Sequence, residues 1–227
     1  MKKFYILNFI YAFCVFPLTA QLMSVESSAF TANDIQFESS ELKIALSQDI
    51  DGLMSKVVKW RHHLHEYPEL GNREFKTSKY IADILNNLGL EVNTGIAYTG
   101  ITAYIRGEHS GPLIALRADI DALPVTELTN LPYASKETTM YQGNKVGVMH
   151  ACGHDAHVAV MLGVADFLSR NTDKLHGDIL LIFQPAEEGP PEGEEGGAEL
   201  MLKEGIFNEK PDVVFGMHVT NSYNGAI

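Results

Sequence analysis

The sequence predicts an α/β layered domain built on a mostly parallel sheet, and three observations carry that prediction. PLIALRADI (Pro112 to Ile120) and DILLIFQP (Asp178 to Pro185) are continuous apolar runs of the kind that form strands buried on both faces. Around them, apolar residues recur at helical spacing. Helical and strand segments also alternate along the chain, the order expected of helices packed on a sheet.

In chain order, the first helix is expected from Leu42 to His65, where Leu42, Ile44, Ala45, Ile50, Leu53, Met54, Val57, Val58, Trp60 and Leu64 keep helical spacing until YPELG stops it. A second helix runs from about Glu74 to Leu88 and is closed by Gly89. Strands follow at Ile101 to Gly107 and at Pro112 to Ile120, and then a polar loop containing Pro and Tyr spans Pro124 to Val148. Asp155 to Leu168 is helical, with Val158, Met161, Leu162, Val164, Ala165 and Leu168 as its apolar stripe. DILLIFQP is a strand, Gly197 to Glu204 a short helix, and DVVFGMHV a last strand ending near Val219. No internal repeat is visible.

The N-terminus reads MKKFYILNFIYAFCVFPLTAQ, with Lys2 and Lys3 ahead of an apolar run from Phe4 to about Leu18 and small or polar residues at Thr19 and Ala20. That is the layout of a secretory signal peptide, expected to cover residues 1–20 and to direct export. The competing membrane-anchor reading is weaker, because the run is short of the roughly 20 residues a span needs and holds Asn8 and Pro17. A linker is expected over 21–40, and the domain over 41–227. With Cys14 in the signal segment, Cys152 is left alone, so no internal disulfide is expected in the processed chain. The formal charge of −12, from 17 Lys+Arg and 29 Asp+Glu, argues against a nucleic-acid partner, which would need a positive footprint. No stable membrane contact is expected after processing.

In parallel sheets ligands sit at the carboxyl ends of the strands. RADID after LIAL, PAEE after ILLIFQ, and His218 after VVFGM all fall there. HACGHDAH (His150 to His157) opens a helix instead, where the helix N-terminus together with a divalent cation would lower the Cys152 thiol pKa. A lone Cys is ordinarily a small buried hydrophobe. Two residues before His154, in a run with three His, Cys152 reads better as a ligand. His157 shares a helical face with His154 and could be a ligand, a group supporting the ligands or a substrate contact, the supporting role being favoured. Glu187 and Glu188, adjacent at a strand end, are expected to point in different directions, one ligating a metal and the other free as a base. Asp119 and Asp121 could orient ligands, and a turn or cap role serves Asp121 equally well. Of His62, His63 and His65, at least two read as surface or packing residues, and His109 and His176 carry no signal.

Taken together, RHHLHEYPELGNREFKTSKYI, ALRADIDALPV, MHACGHDAHVAVMLG, FQPAEEGPPEGEEGGAELM and FGMHV resemble, in order, the signatures of the N-acyl-amino-acid amidohydrolases. These are the hippurate hydrolase and auxin-conjugate hydrolase subgroup of the aminoacylase/carboxypeptidase-type dinuclear metallopeptidases. The resemblance implies a three-layer zinc-peptidase-like catalytic domain and two divalent ions, Zn, Mn, Co or Ni. It implies Cys152, His154, Glu188 and His218 as ligands with Cys152 as the bridge, Glu187 as general base and acid, and Asp119 as a supporting carboxylate. Arg117 stands where related carboxypeptidases place a ligand His, so no ligand is expected there. Family chains continue well past residue 227, through an inserted lid that dimerises the protein and then one more ligand His. These 227 residues are accordingly expected to be the N-terminal part of the catalytic domain, without the lid, and the full-length form a homodimer. The implied reaction is metal-dependent hydrolysis of the amide of small N-acyl amino acids or peptide-like conjugates. A dipeptidase or carboxypeptidase, or an inactive metal-binding fragment, is the alternative.

Overall fold

A computed structural model describes residues 39–219 of the 227. The expected signal peptide, and all but the last residues of the expected linker, lie outside the described residues. The first helix, α1, is Ser39–Glu66, and α2 is Phe75–Asn87. Then come β1 (Glu91–Ile96), β2 (Gly100–Arg106) and β3 (His109–Asp119). A hairpin of β4 (Thr138–Tyr141) and β5 (Asn144–Gly147) precedes α3 (His154–Ser169). The chain continues through β6 (His176–Gln184), α4 (Gly197–Lys203) and β7 (Val213–Gly216). No helix among these residues is long and apolar enough to cross a membrane.

Five strands form one sheet in the order β1-β2-β6-β3-β7. β6 and β7 both run parallel to β3, while β2 is antiparallel to β1 and to β6, so four of the five strands share one direction. Central β6 shows why the run ILLIF is apolar throughout. Leu181 and Phe183 pack with Leu64 of α1, Ile81 and Leu85 of α2 and Leu162 of α3, whereas Leu180 and Ile182 pack with Leu113, Ala115 and Met201 of α4. Alternate side chains feed opposite cores, which makes three layers, with α1, α2 and α3 on one face and α4 on the other.

Register places the site. Asp119, the end of β3, pairs with Gln184, the end of β6, and Arg117 pairs with Gly216, the end of β7. The carboxyl ends of three parallel strands therefore open on one edge of the sheet.

Two elements escape the sequence patterns. β1 is largely exposed and polar, so it lacks the apolar signal of a buried strand. The loop expected over Pro124 to Val148 holds the β4–β5 hairpin, whose two connecting residues, Gln142 (φ 48) and Gly143 (φ 77), have the positive φ of a tight hairpin turn. β7 is also shorter than expected, ending at Gly216, because residues 217–219 leave the sheet to serve the site.

Candidate metal centre

His154 is the centre of the arrangement. It is the first residue of α3 and 0 % exposed. Its Nδ1 lies 2.8 Å from the Asp121 carbonyl oxygen, which can only accept, so Nδ1 carries the proton and Nε2 holds the lone pair. Around that lone pair stand Asp119 Oδ2 at 3.7 Å, Glu187 Oε2 at 3.8 Å and Glu188 Oε1 at 3.8 Å. Such separations are too long for hydrogen bonds. Donors bound to one ion at about 2.1 Å in tetrahedral array stand about 3.4 Å apart.

His218 repeats the device. Its Nδ1 is 2.6 Å from the Val219 carbonyl oxygen, which leaves Nε2 to face Cys152 Sγ at 3.4 Å. Three ligand sets, each with donor atoms within 4.8 Å of one another, share His154: Cys152 with His218, Asp119 with His157, and Glu187 with Glu188. The structure thus brings together Cys152, His154, Glu187, Glu188, His218 and Asp119. His157 lies beside them. It is 1 % exposed, its Nε2 accepts the Val219 N–H at 2.9 Å, and its Nδ1 faces Asp119 Oδ2 at 3.4 Å. Its ring thus touches both Asp119 and the His218 segment.

The two glutamates converge, contrary to the expectation that they diverge. Strand alternation has already ended at Gln184, and Ala186 takes the left-handed region at φ 46, so the period of two no longer applies to the pair.

Electrostatics fit a cation. Asp119, Glu187 and Glu188 crowd a space where Arg117 is the fixed positive neighbour, its guanidinium against Asp119 and 4.0 Å from Glu187 Oε1. Burial and then the Asp119 charge raise the Glu187 carboxyl above its usual range. Burial, followed by the Glu188 and Glu187 carboxylates, pushes the Cys152 thiol up to about 12. A thiolate among these carboxylates needs an opposite charge beside it, which a cation bound by the same donors would supply. His154 Nε2, Asp119 Oδ2 and His157 Nδ1 are buried without a hydrogen-bond partner, while Asp119 Oδ1 is taken by Arg117. Orphaned donors and acceptors of that kind are costly unless something binds them, so the residues present fit a divalent ion.

Asp121, left open between turn and orienting roles, does orient. Burial would raise its carboxyl, but hydrogen bonds with His154 and from the Glu188 N–H, 3.0 Å away, hold it below the usual range. Two further residues lacked any metal-type signal in the sequence. Glu74 sits behind the PAEE turn, and His65 joins Asp155 (2.9 Å) to Glu127 (3.2 Å) beneath the start of α3. His62 and His63 are packing residues, stacked on Tyr133 and Tyr80, and His109 stacks on His176.

Residues 115–226 match the family described as Peptidase family M20/M25/M40. The chain is 45% identical over 183 residues to thermostable carboxypeptidase 1 of Saccharolobus solfataricus, covering 80% of this chain and 44% of that protein. It is 44% identical over 170 residues to N-acetyl-L-cysteine deacetylase of Bacillus subtilis, covering 75% and 38%. Among solved structures, the Bacillus subtilis YXEP protein, described as a dinuclear metal binding peptidase from the M20 family, superposes with a TM-score of 0.66 at 40% identity, over 75% of this chain and 44% of that one. The chain spans less than half the length of these relatives.

Proposed function

The chain belongs to peptidase family M20/M25/M40, and we propose that it supplies the metal centre of an amidohydrolase that cleaves the amide bond of N-acyl amino acids. The observation that carries this reading is the convergence of Asp119, Glu187 and Glu188 on the free Nε2 of His154. Cys152, His154, Glu188 and His218 would hold two divalent ions. When bound, such ions polarise a carbonyl oxygen and acidify water.

Glu187 takes the proton of the attacking water and passes it to the leaving amine, splitting acyl group from amino acid with no net change in protons. Its side chain is about one-third exposed, open enough to reach a substrate, and its raised carboxyl lies nearer the range useful to a base at neutral pH. Asp119 holds Arg117 on one side and faces the Nδ1 of His157 on the other, so it supports His157, while the Asp121 carbonyl orients His154. The 44% identity to an N-acetyl-cysteine deacetylase supports an N-acyl substrate. The 45% identity to a carboxypeptidase keeps peptide cleavage as the second reading.

A panel of N-acetyl and N-benzoyl amino acids beside dipeptides, with and without chelator, tests both. Chelator-sensitive release of free amino acid from the N-acyl compounds is expected. Cleavage of dipeptides alone establishes the second reading, and turnover unaffected by chelator overturns the metal centre. Export belongs to the same proposal: residues 1–38 fused to a reporter active only outside the cytoplasm should yield an active, shortened product, and an unprocessed cytoplasmic fusion overturns it.

A further inference from the structure

Glu74 lies at the N-cap position of α2, yet its side chain makes no capping bond to its own helix. It is 0 % exposed. One carboxylate oxygen accepts the Ala186 N–H at 2.8 Å, and the other accepts the Thr99 hydroxyl at 2.7 Å. A carboxylate is costly to bury, and capping α2 is the local use open to one at this position. Both oxygens are instead committed to residues 25 and 112 positions away.

What they hold is the turn that carries the acid pair. Ala186 has φ 46, a conformation that a non-glycine residue keeps only where its surroundings enforce it. The turn closes through the Gly189 N–H on the Ala186 carbonyl at 3.3 Å. Gly71 backs it so closely that a Cβ there would stand 3.0 Å from the Gly189 oxygen and 3.1 Å from Ala186 Cα. The turn is thus pinned at two amides, Ala186 N–H by Glu74 and Glu188 N–H by Asp121.

We propose that Glu74 is a positioning residue for Glu187 and Glu188, whose buried carboxylate holds the left-handed Ala186 turn and so aims both side chains at His154 Nε2. The proposal rests on the metal-centre reading above. It assigns the NREF segment, which carries no ligand or base, a share in metal affinity. Burial pushes the Glu74 carboxyl up to about 7, so a neutral side chain of the same shape can take its place. Glutamine could accept from Ala186 through its carbonyl oxygen and donate to the Thr99 oxygen through its amide.

Cobalt(II) titration of the chain, followed by thiolate charge-transfer and d–d absorption and competed with a chelator, tests the assignment. Glu74→Ala should weaken cobalt binding about 10–100-fold, the usual effect of removing a group that orients ligands, and should alter the d–d bands. Glu74→Gln should restore parental affinity and spectrum. Leu85→Ala, a core truncation in α2, should lower Tm while leaving the spectrum unchanged. If Glu74→Ala does not fold, Thr99→Val, which removes one of the two anchors at nearly constant volume, should show a smaller loss of the same kind. Parental cobalt affinity and spectrum in Glu74→Ala, or in Thr99→Val where that variant stands in, would overturn the inference, as would an equal loss in Leu85→Ala. A parent chain that binds no cobalt would overturn the metal-centre reading itself, and this inference with it.

Discussion

Cys152 Sγ and His218 Nε2 lie 3.4 Å apart, although 66 positions of sequence separate them. Val219 makes the meeting possible, since its carbonyl accepts from His218 Nδ1 and its N–H donates to His157 on α3. Val219, three residues past β7, thereby sets the His218 ring and ties it to the helix that begins two residues beyond Cys152.

Metal content should follow this pairing. Protein purified without chelator should contain Zn, Mn, Co or Ni by elemental analysis, and Cys152→Ser and His154→Ala should each lower the stoichiometry. Unchanged content in both variants would overturn the ligand assignment.

Glu187 and Glu188 should separate by phenotype even though both approach His154 equally closely. In protein that turns over N-acyl amino acids, Glu187→Gln should lower kcat by about 10²-fold or more with metal retained. Glu188→Gln should lose metal as well as rate. The opposite pattern would exchange their roles.

Gly153→Ala probes the turn between two candidate ligands. Gly153 has φ 88, and a Cβ there would lie 2.3 Å from Val219 Cγ2. The left-handed backbone alone should cost about 1–2 kcal/mol with a side chain present, and the collision pushes on the residue that sets His218. A lowered Tm together with weakened metal binding is expected. Loss of stability with metal affinity intact would show that Val219 does not transmit the displacement.

His65 should make stability depend on pH. The Asp155 hydrogen bond, opposed by burial and aided by Glu127, raises its pKa above 6.5. A raised folded-state pKa gives a contribution fully present below the unfolded value and lost as pH climbs through the folded one. Burial would raise Asp155 and Glu127, but their hydrogen bonds outweigh it and both carboxyls lie low, so their contribution fades only in acid. The Tm advantage of the parent over His65→Gln should therefore shrink as pH rises from about 6 through the raised value. An advantage independent of pH would contradict the ion pairs.

Much of the fold was legible in the sequence because its signals are local. β3 and β6 have continuous apolar runs since alternate side chains enter two cores, and α2 keeps one buried stripe of Ile81, Ala82 and Leu85. β1 and the β4–β5 hairpin were not legible, being polar and exposed, so neither period nor composition marks them.

The sequence by itself determined which chemistry was available: a thiol, histidines and paired carboxylates at the ends of strands and at the start of a helix. Tertiary structure decided how they are used. Only the parallel register of β3, β6 and β7 brings Asp119, Glu187 and His218 to one edge of the sheet. Only bonds between distant residues choose tautomers and directions, as the Asp121 carbonyl does for His154 and Glu74 for the Ala186 turn. Strand and helix periods repeat over a few residues and can be read from neighbours. A lone pair is aimed by a single contact from elsewhere in the chain, and the local sequence leaves no trace of it.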